Sequence, residues 1–441
     1  MKKLCTILCL LIIFTTASCG FCADIFGAEP SMQKAEYWIL HASDADKVIM
    51  PEAAIKDFNI AIQKADKTYC RDIFAYPEAI SAEHLRSSIS AEKRLLKDNY
   101  IDGNLPTDEF LETLIEECNL NDIPAETKVR YAFAAQNLNL RTLPTEKQSH
   151  RIKKDKFFDR YTMSLIKLWE PLLVLHSSKS GAWCYVMSKN CAGWVKTDGL
   201  AFCDKHTLKK YHEMPYLTVT GAKIYPRLGL TGKRLELQLG TRLPIAEKPS
   251  SVCGIGHWSS YTVLLPARSK HGKFCEKKLL IPFSADVCKG NLAYTQENLL
   301  RTAFKLLGEQ YGWGGNFMQW DCSALIHDVY SVFGFELPRN SSAQARIPCF
   351  HADCKAMSDD EKEKLLATLY SGALLQMPGH IMLYLGTVRG KPYILHATAA
   401  LYPIDEMSEI RTNCTVVTSM DIKRANGKKI ISCIENICAI Y

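Results

Sequence analysis

Beyond its first twenty residues this 441-residue chain has no apolar run near the ~18 residues that a membrane-crossing helix needs. No transmembrane segment is therefore expected. It has no block of five or more like charges either, which excludes a nucleic-acid-binding tail, and no nucleic-acid partner is expected. No Cys/His spacing follows a standard zinc pattern. The stretch CFHADC (349–354) has no second pair nearby, so no metal is expected there. No residue-level repeat is visible, and nothing in the composition points to disorder. The chain is 47% hydrophobic and 23% charged, enough to bury real cores. At roughly 100–200 residues per domain it makes two to four domains. The net charge of +7 suits an anionic partner such as a cell-wall polymer, a membrane surface or nucleic acid, and equally a mildly basic soluble surface.

The N-terminus carries a clear pattern. Met1-Lys2-Lys3 is positive, Leu4 to Phe14 is almost wholly apolar, and small residues follow at Thr15 to Ser18. Residues 1–23 thus have the form of a secretory signal peptide. Cleavage before Cys19 would resemble lipoprotein processing, although Thr16 stands where that signal usually has Leu. Cleavage after Gly20 or Cys22 fits as well. The expectation is an exported protein of the periplasm or cell envelope, with a lipid anchor as the lesser alternative. Of 18 cysteines, four (5, 9, 19 and 22) lie in or beside this segment and fourteen remain. Export permits disulfides. Cys184/Cys191, Cys349/Cys354 and Cys433/Cys438 are near enough in sequence to consider.

Residues 31–140 read as helical. Ile55, Phe58 and Ile62 recur at helical spacing, and Thr107 is placed to cap a helix over 108–120. From about 141 the texture changes to short apolar runs split by turns, which predicts small β-barrels. One series lies over 141–214 and a second over 215–290. From Gln296 helical spacing returns, then the glycine-rich YGWGG (311–315), then a helix from about Asp321. Two apolar strands follow at 380–387 and 391–398, giving an α+β domain over 291–441.

Cys322 lies where this second helix starts, with Asp321 as its N-cap. Unpaired N–H groups and the positive end of the helix dipole favour thiolate there. Gly312, Gly314 and Gly315 before it leave room for a substrate backbone. A nucleophile needs a base. His380 opens one apolar strand and His396 lies late in the next. A turn over 387–392 brings them onto one face of a hairpin, because residues two apart on a strand point the same way. One imidazole takes the thiol proton and the other orients it. Against this stands the plain reading of a buried structural cysteine and two satisfied strand histidines.

Residues 296–398 resemble the NlpC family of bacterial cell-wall cysteine peptidases. The resemblance rests on YGWGG, DCSALIHDVYSVFGFELPRNSSAQA (321–345), PGHIMLYLG (378–386) and ILHA (394–397), in that order. The domain order resembles its multidomain members, with RTLPT (141–145) at the start of the first SH3-like barrel. The resemblance implies a papain-like fold behind a helical stabilising domain (24–140) and two bacterial SH3-like barrels. It implies Cys322 as nucleophile, His380 as general base and His396 as the orienting third member. It further implies that Tyr311, Asp321 and Ser323 contact substrate, with Tyr311 near the oxyanion. The implied substrate is a peptidoglycan stem peptide or muropeptide, cut between γ-D-glutamate and a diamino acid by a monomer without cofactor. An amidase, an acyltransferase or a non-catalytic wall-binding protein are the alternatives. The segment 351–370 departs from the family pattern and is placed in sequence to alter access.

Overall fold

The computed structural model describes residues 26–90, 94–230, 232, 234–406 and 408–441. The signal-peptide segment lies outside them. Helix makes up 24% and strand 33% of the structure. No helix among the described residues is long and apolar enough to cross a membrane.

The segment expected to be helical holds α1 (Ala35–His41), α2 (Glu52–Ala65), α3 (Ala82–Ile89) and α4 (Asp108–Glu117). Thr107 caps α4, its hydroxyl accepting the Phe110 N–H at 3.2 Å. The segment is not one helical body, however. Residues 28–62 pack into the hydrophobic core of the C-terminal domain, where the Trp38 ring lies 5.5 Å from that of Tyr393. Asn59 exchanges hydrogen bonds with Gly334 O (2.8 Å) and Glu336 N–H (2.9 Å). Residues 73–123 instead cover the outer face of the first barrel. Nor does the helical texture reach residue 140. β1 (Arg130–Ala134) and β2 (Leu138–Arg141) already belong to that barrel. YAFAA and LNLR are short and rich in small or branched apolar residues. They satisfy their backbone by sheet pairing, and the boundary expected at 140/141 falls inside a sheet.

The first barrel adds β3 (Thr162–Ile166), β4 (Pro171–Ser177), β5 (Trp183–Met187), β6 (Ala192–Lys196) and β7 (Leu200–Cys203) in the order β7-β1-β4-β5-β6-β2-β3. β4 shows why its sequence is apolar without alternation. Leu172 and Val174 fill the barrel, while Leu173 and Leu175 meet the helical layer outside. The second barrel is smaller. β8 (Tyr216–Val219) pairs with β9 (Arg242–Pro244) and β12 (Val287–Lys289), beside the long hairpin of β10 (Ser260–Arg268) and β11 (Phe274–Pro282).

The C-terminal domain sets α6 (Gln296–Phe304) and α7 (Cys322–Ser331) against a six-stranded antiparallel sheet, with α5 (Lys205–Glu213) lying earlier, between the barrels. The sheet comprises β13 (Phe350–Asp353), β14 (Leu374–Met377), β15 (His380–Val388), β16 (Lys391–Leu401), β17 (Ile410–Ser419) and β18 (Asn436–Ala439), in the order β13-β18-β14-β15-β16-β17. The apolar stripe of α7 (Leu325, Ile326, Val329) packs into a core shared with Ile381, Leu383 and Leu395 of the sheet. The 351–370 departure forms edge strand β13 and a capped helix (Asp359–Leu366). Two intervening strands separate β13 from the β15–β16 hairpin. All fourteen described cysteines are free, so none of the three sequence-near pairs is bridged.

Candidate active site

Asp321 is the N-cap of α7. Its Oδ1 accepts the Ala324 N–H at 2.8 Å and the Ser323 hydroxyl at 3.1 Å. Its Oδ2 accepts the Gly314 N–H at 3.0 Å. Arg339 grips both oxygens at 2.9 and 2.7 Å, a bidentate pair in a buried setting. Burial alone would raise the Asp321 carboxyl, but Arg339 outweighs it and holds the group below its ordinary value. Arg339 also donates to Ser323 Oγ at 2.7 Å. Asp321 and Ser323 are thus occupied in building the helix start. Arg339 was not marked by any spacing in the sequence.

Cys322 follows as the first helical residue. Its own N–H has no acceptor among the described residues, and the Ile381 N–H at the start of β15 points to its sulfur. Ile381 follows His380 in β15, so the start of that strand lies at the N-terminal end of α7. The β14–β15 connection is a two-residue turn, Pro378-Gly379, closed by the Met377–His380 pair. Gly379 has φ +77°, a conformation a side chain disfavours, and so the turn is fixed where it aims His380. Leu383 pairs with Leu395, which puts residue 396 opposite 382 and on the same face as 380. The hairpin geometry expected from sequence is the one found. His380 Nε2 and His396 Nδ1 lie 2.9 Å apart, and His396 Nε2 lies 3.3 Å from the Thr418 hydroxyl on β17. Thr418 is fully buried and carries no sequence signal.

The electrostatics differ from the sequence expectation. Burial, then the Asp321 carboxylate, push the Cys322 thiol up to about 12, outweighing the Ile381 and Ser323 N–H groups. Burial, then the Arg424 guanidinium, bring His380 down to about 4. Burial, then His380, hold His396 well below its usual range. Burial and Asp321 thus oppose the helix start, and the directions of both shifts favour a thiol and a neutral imidazole. Because the thiol is raised, its thiolate fraction grows as pH rises. Iodoacetamide labelling of Cys322, followed on its peptide by mass spectrometry, is expected to be at least about tenfold slower at pH 7 than for a free cysteine. It should still be climbing above pH 9. A rate already level from pH 6 would mean a preformed thiolate–imidazolium pair and would overturn this.

Tyr311 is buried. Burial, then the charges of Cys322 and Asp321, raise its hydroxyl well above the ordinary value, so it remains a neutral donor near the thiol. The glycines before Cys322 serve a different end from the one expected. A Cβ on Gly314 would lie 2.6 Å from Thr162 O, and one on Gly315 would lie 2.7 Å from Leu165 Cβ. Both have positive φ (+60° and +83°). The room they leave is filled by β3 of the first barrel, not by substrate. The barrel thereby becomes a wall of the site, with Phe158 5.5 Å from Tyr311 and 5.6 Å from Trp313, ring to ring.

Residues 308–414 match the model of the NlpC/P60 family, and residues 147–196 match that of an SH3 domain of the SH3b1 type. Over 161 residues the chain is 27% identical to a gamma-D-glutamyl-L-lysine dipeptidyl-peptidase of Bacillus cereus, covering 35% of this chain and 43% of that protein. The chain thus spans less than half the length of that curated relative. The solved structure of an NlpC/P60 endopeptidase from Photobacterium damselae subsp. piscicida superposes with a TM-score of 0.74 at 19% identity, over 92% of this chain and 96% of that one. That agreement shows a shared fold. An NlpC/P60 family protein from Bacillus cereus aligns at 17% identity over 70% of this chain and 99% of its own, with a TM-score of 0.49. Residues 308–414 thus form an NlpC/P60 domain with a papain-like fold, and residues 147–196 an SH3b domain.

Proposed function

We propose that this chain is a cysteine endopeptidase that cuts peptidoglycan stem peptides between γ-D-glutamate and the diamino acid. The observation that carries the reading is the 2.9 Å bond between His380 and His396, on the hairpin whose core is shared with α7, the helix that Cys322 opens. That bond uses Nε2 of His380, leaving Nδ1 for the thiol. If Nε2–H donates to His396 Nδ1, then His396 Nε2–H donates to the Thr418 hydroxyl. One tautomer of each ring satisfies the whole chain. His380 Nδ1 then accepts the proton of Cys322 as the sulfur attacks the amide carbonyl. The oxyanion meets the unpaired N–H of Cys322 and the nearby Tyr311 hydroxyl. His380 returns its proton to the leaving amine, and water, deprotonated by His380, releases the thioester. The name of the Bacillus cereus relative supports the γ-D-glutamyl bond as the target. The signal-like N-terminus supports export to the periplasm or cell envelope, where this polymer lies.

Defined muropeptides, with mass spectrometry of the products, test the reading. Cleavage after γ-D-glutamate is expected. Release of intact stem from the sugar would make the protein an amidase. Formation of a new amide in place of hydrolysis would make it an acyltransferase. Binding of stems without turnover would leave a wall-binding protein.

A further inference from the structure

Arg160, in the first barrel, lies on the aromatic rings that flank Tyr311. Its guanidinium carbon lies 4.2 Å from the Trp313 ring centre and 5.5 Å from that of Phe158. These are the rings that pack the barrel onto the catalytic domain beside Tyr311. The stacking holds the guanidinium plane. The backbone is fixed as well. The Arg160 N–H donates to Ser149 O at 2.7 Å, and buried Asp159 accepts from the Ser149 and Tyr161 N–H groups, both at 3.0 Å.

Yet among the described residues the Arg160 side chain has no hydrogen bond and no ion pair, and its Nε is buried without an acceptor. The acids of its own loop are engaged elsewhere. Asp159 is held by Arg141 at 2.9 Å, and Asp155 accepts the Phe157 N–H at 2.8 Å. The loop 151–160 adds Arg151, Lys153, Lys154 and Lys156. Burial, then the Arg151 charge, disfavour the charged form of Arg160. A half-buried cation stacked on aromatic rings, with no acceptor in direct contact and Asp155 offsetting its burial only in part, is completed by an anion from outside. A planar fork of N–H donors fits a carboxylate.

We infer that Arg160 is a specificity residue that pairs with a free carboxylate of the bound peptide and discriminates against its primary amide. This rests on the proposed function. A γ-linked D-glutamyl residue keeps its α-carboxylate, and a diaminopimelyl residue keeps its second carboxylate, and both can be carried as primary amides. Three stem peptides separate the sources: the free acid, the form amidated at D-glutamate and the form amidated at the diamino acid.

In kcat/KM, the unaltered chain is expected to favour the free acid over one of the amidated forms by about tenfold or more, the range of a charge-assisted hydrogen bond. The form that suffers identifies the carboxylate. Arg160→Met should lose most on the free acid and little on that amide, bringing the ratio toward one. Arg160→Lys, which keeps the charge but not the fork, should fall between. An unaltered chain that cuts all three peptides equally would overturn the inference and leave the proposed function standing. So would an undiminished ratio in Arg160→Met. Failure to cut any of the three overturns both.

Discussion

Cys322→Ala is expected to abolish stem-peptide cleavage, with kcat falling roughly 10⁴- to 10⁶-fold, as when a nucleophile is removed from other covalent hydrolases. The fold should survive. Cys322 is the first residue of α7, and the cap belongs to Asp321, whose bonds to Ala324, Gly314 and Arg339 do not involve the thiol. An unfolding midpoint near that of the parent therefore accompanies the loss, and stems should still bind. His380→Gln should come close to the same loss, since it removes the imidazole assigned as the general base. His396→Asn should lose less. An amide can still accept from His380 Nε2, whereas His396→Ala leaves that N–H buried and unpaired. A Cys322→Ala protein that retains turnover would remove the thiol from the mechanism. Equal losses for His396→Asn and His396→Ala would remove the hydrogen bond from it.

The parts of this site legible in the sequence are those governed by local periodicity. The cap at Asp321 and the helix after it follow from an Asp ahead of an apolar 3.6-residue pattern. The two histidines share a face because strands alternate and the turn between them is short. The charge state of the thiol was not legible, because it depends on how deeply α7 is buried and on an arginine seventeen residues away. The helix dipole was the visible term, while burial and the Asp321 carboxylate are the larger ones. Thr418 was equally hidden, since nothing in VVTSM marks a hydroxyl that faces an imidazole on the neighbouring strand.

The glycines and the N-terminal helices teach the same lesson at the scale of the fold. Gly314 and Gly315 announce a close approach, but only tertiary structure shows that β3 of the barrel makes it. The segment read as one helical domain divides between two cores because its amphipathic helices show an apolar face without naming its partner. Periodicity fixes which face of a helix is buried; it does not say against what.

Lys167→Met is expected to destabilise the protein by about 3 kcal/mol, at the lower end of the 3–5 kcal/mol seen when one partner of a buried ion pair is removed. Lys167 follows β3 in the first barrel, and its ammonium reaches Asp328 Oδ1 on α7 at 2.6 Å and Leu239 O of the second barrel at 2.7 Å. One side chain thus ties three domains together. Asp328 is 4% exposed. Burial alone would raise it, but Lys167 and the His327 ring hold it far below the ordinary carboxylate range. Without Lys167 its carboxylate keeps only the Trp320 indole N–H at 2.7 Å and the His327 ring at 2.8 Å, which keeps the cost at the lower end. Adding Asp328→Asn should recover part of the loss, because the stranded charge is then gone, and the coupling in the double-mutant cycle measures the pair itself. Trp320 stands two residues before Cys322. Loosening its anchor on Asp328 should lower kcat/KM even under conditions where Lys167→Met remains folded. An unfolding free energy within about 1 kcal/mol of the parent would show that the pair contributes nothing net. The barrel would then be held against the catalytic domain by the close packing of Gly314 and Gly315 on β3 and by the aromatic wall around Phe158.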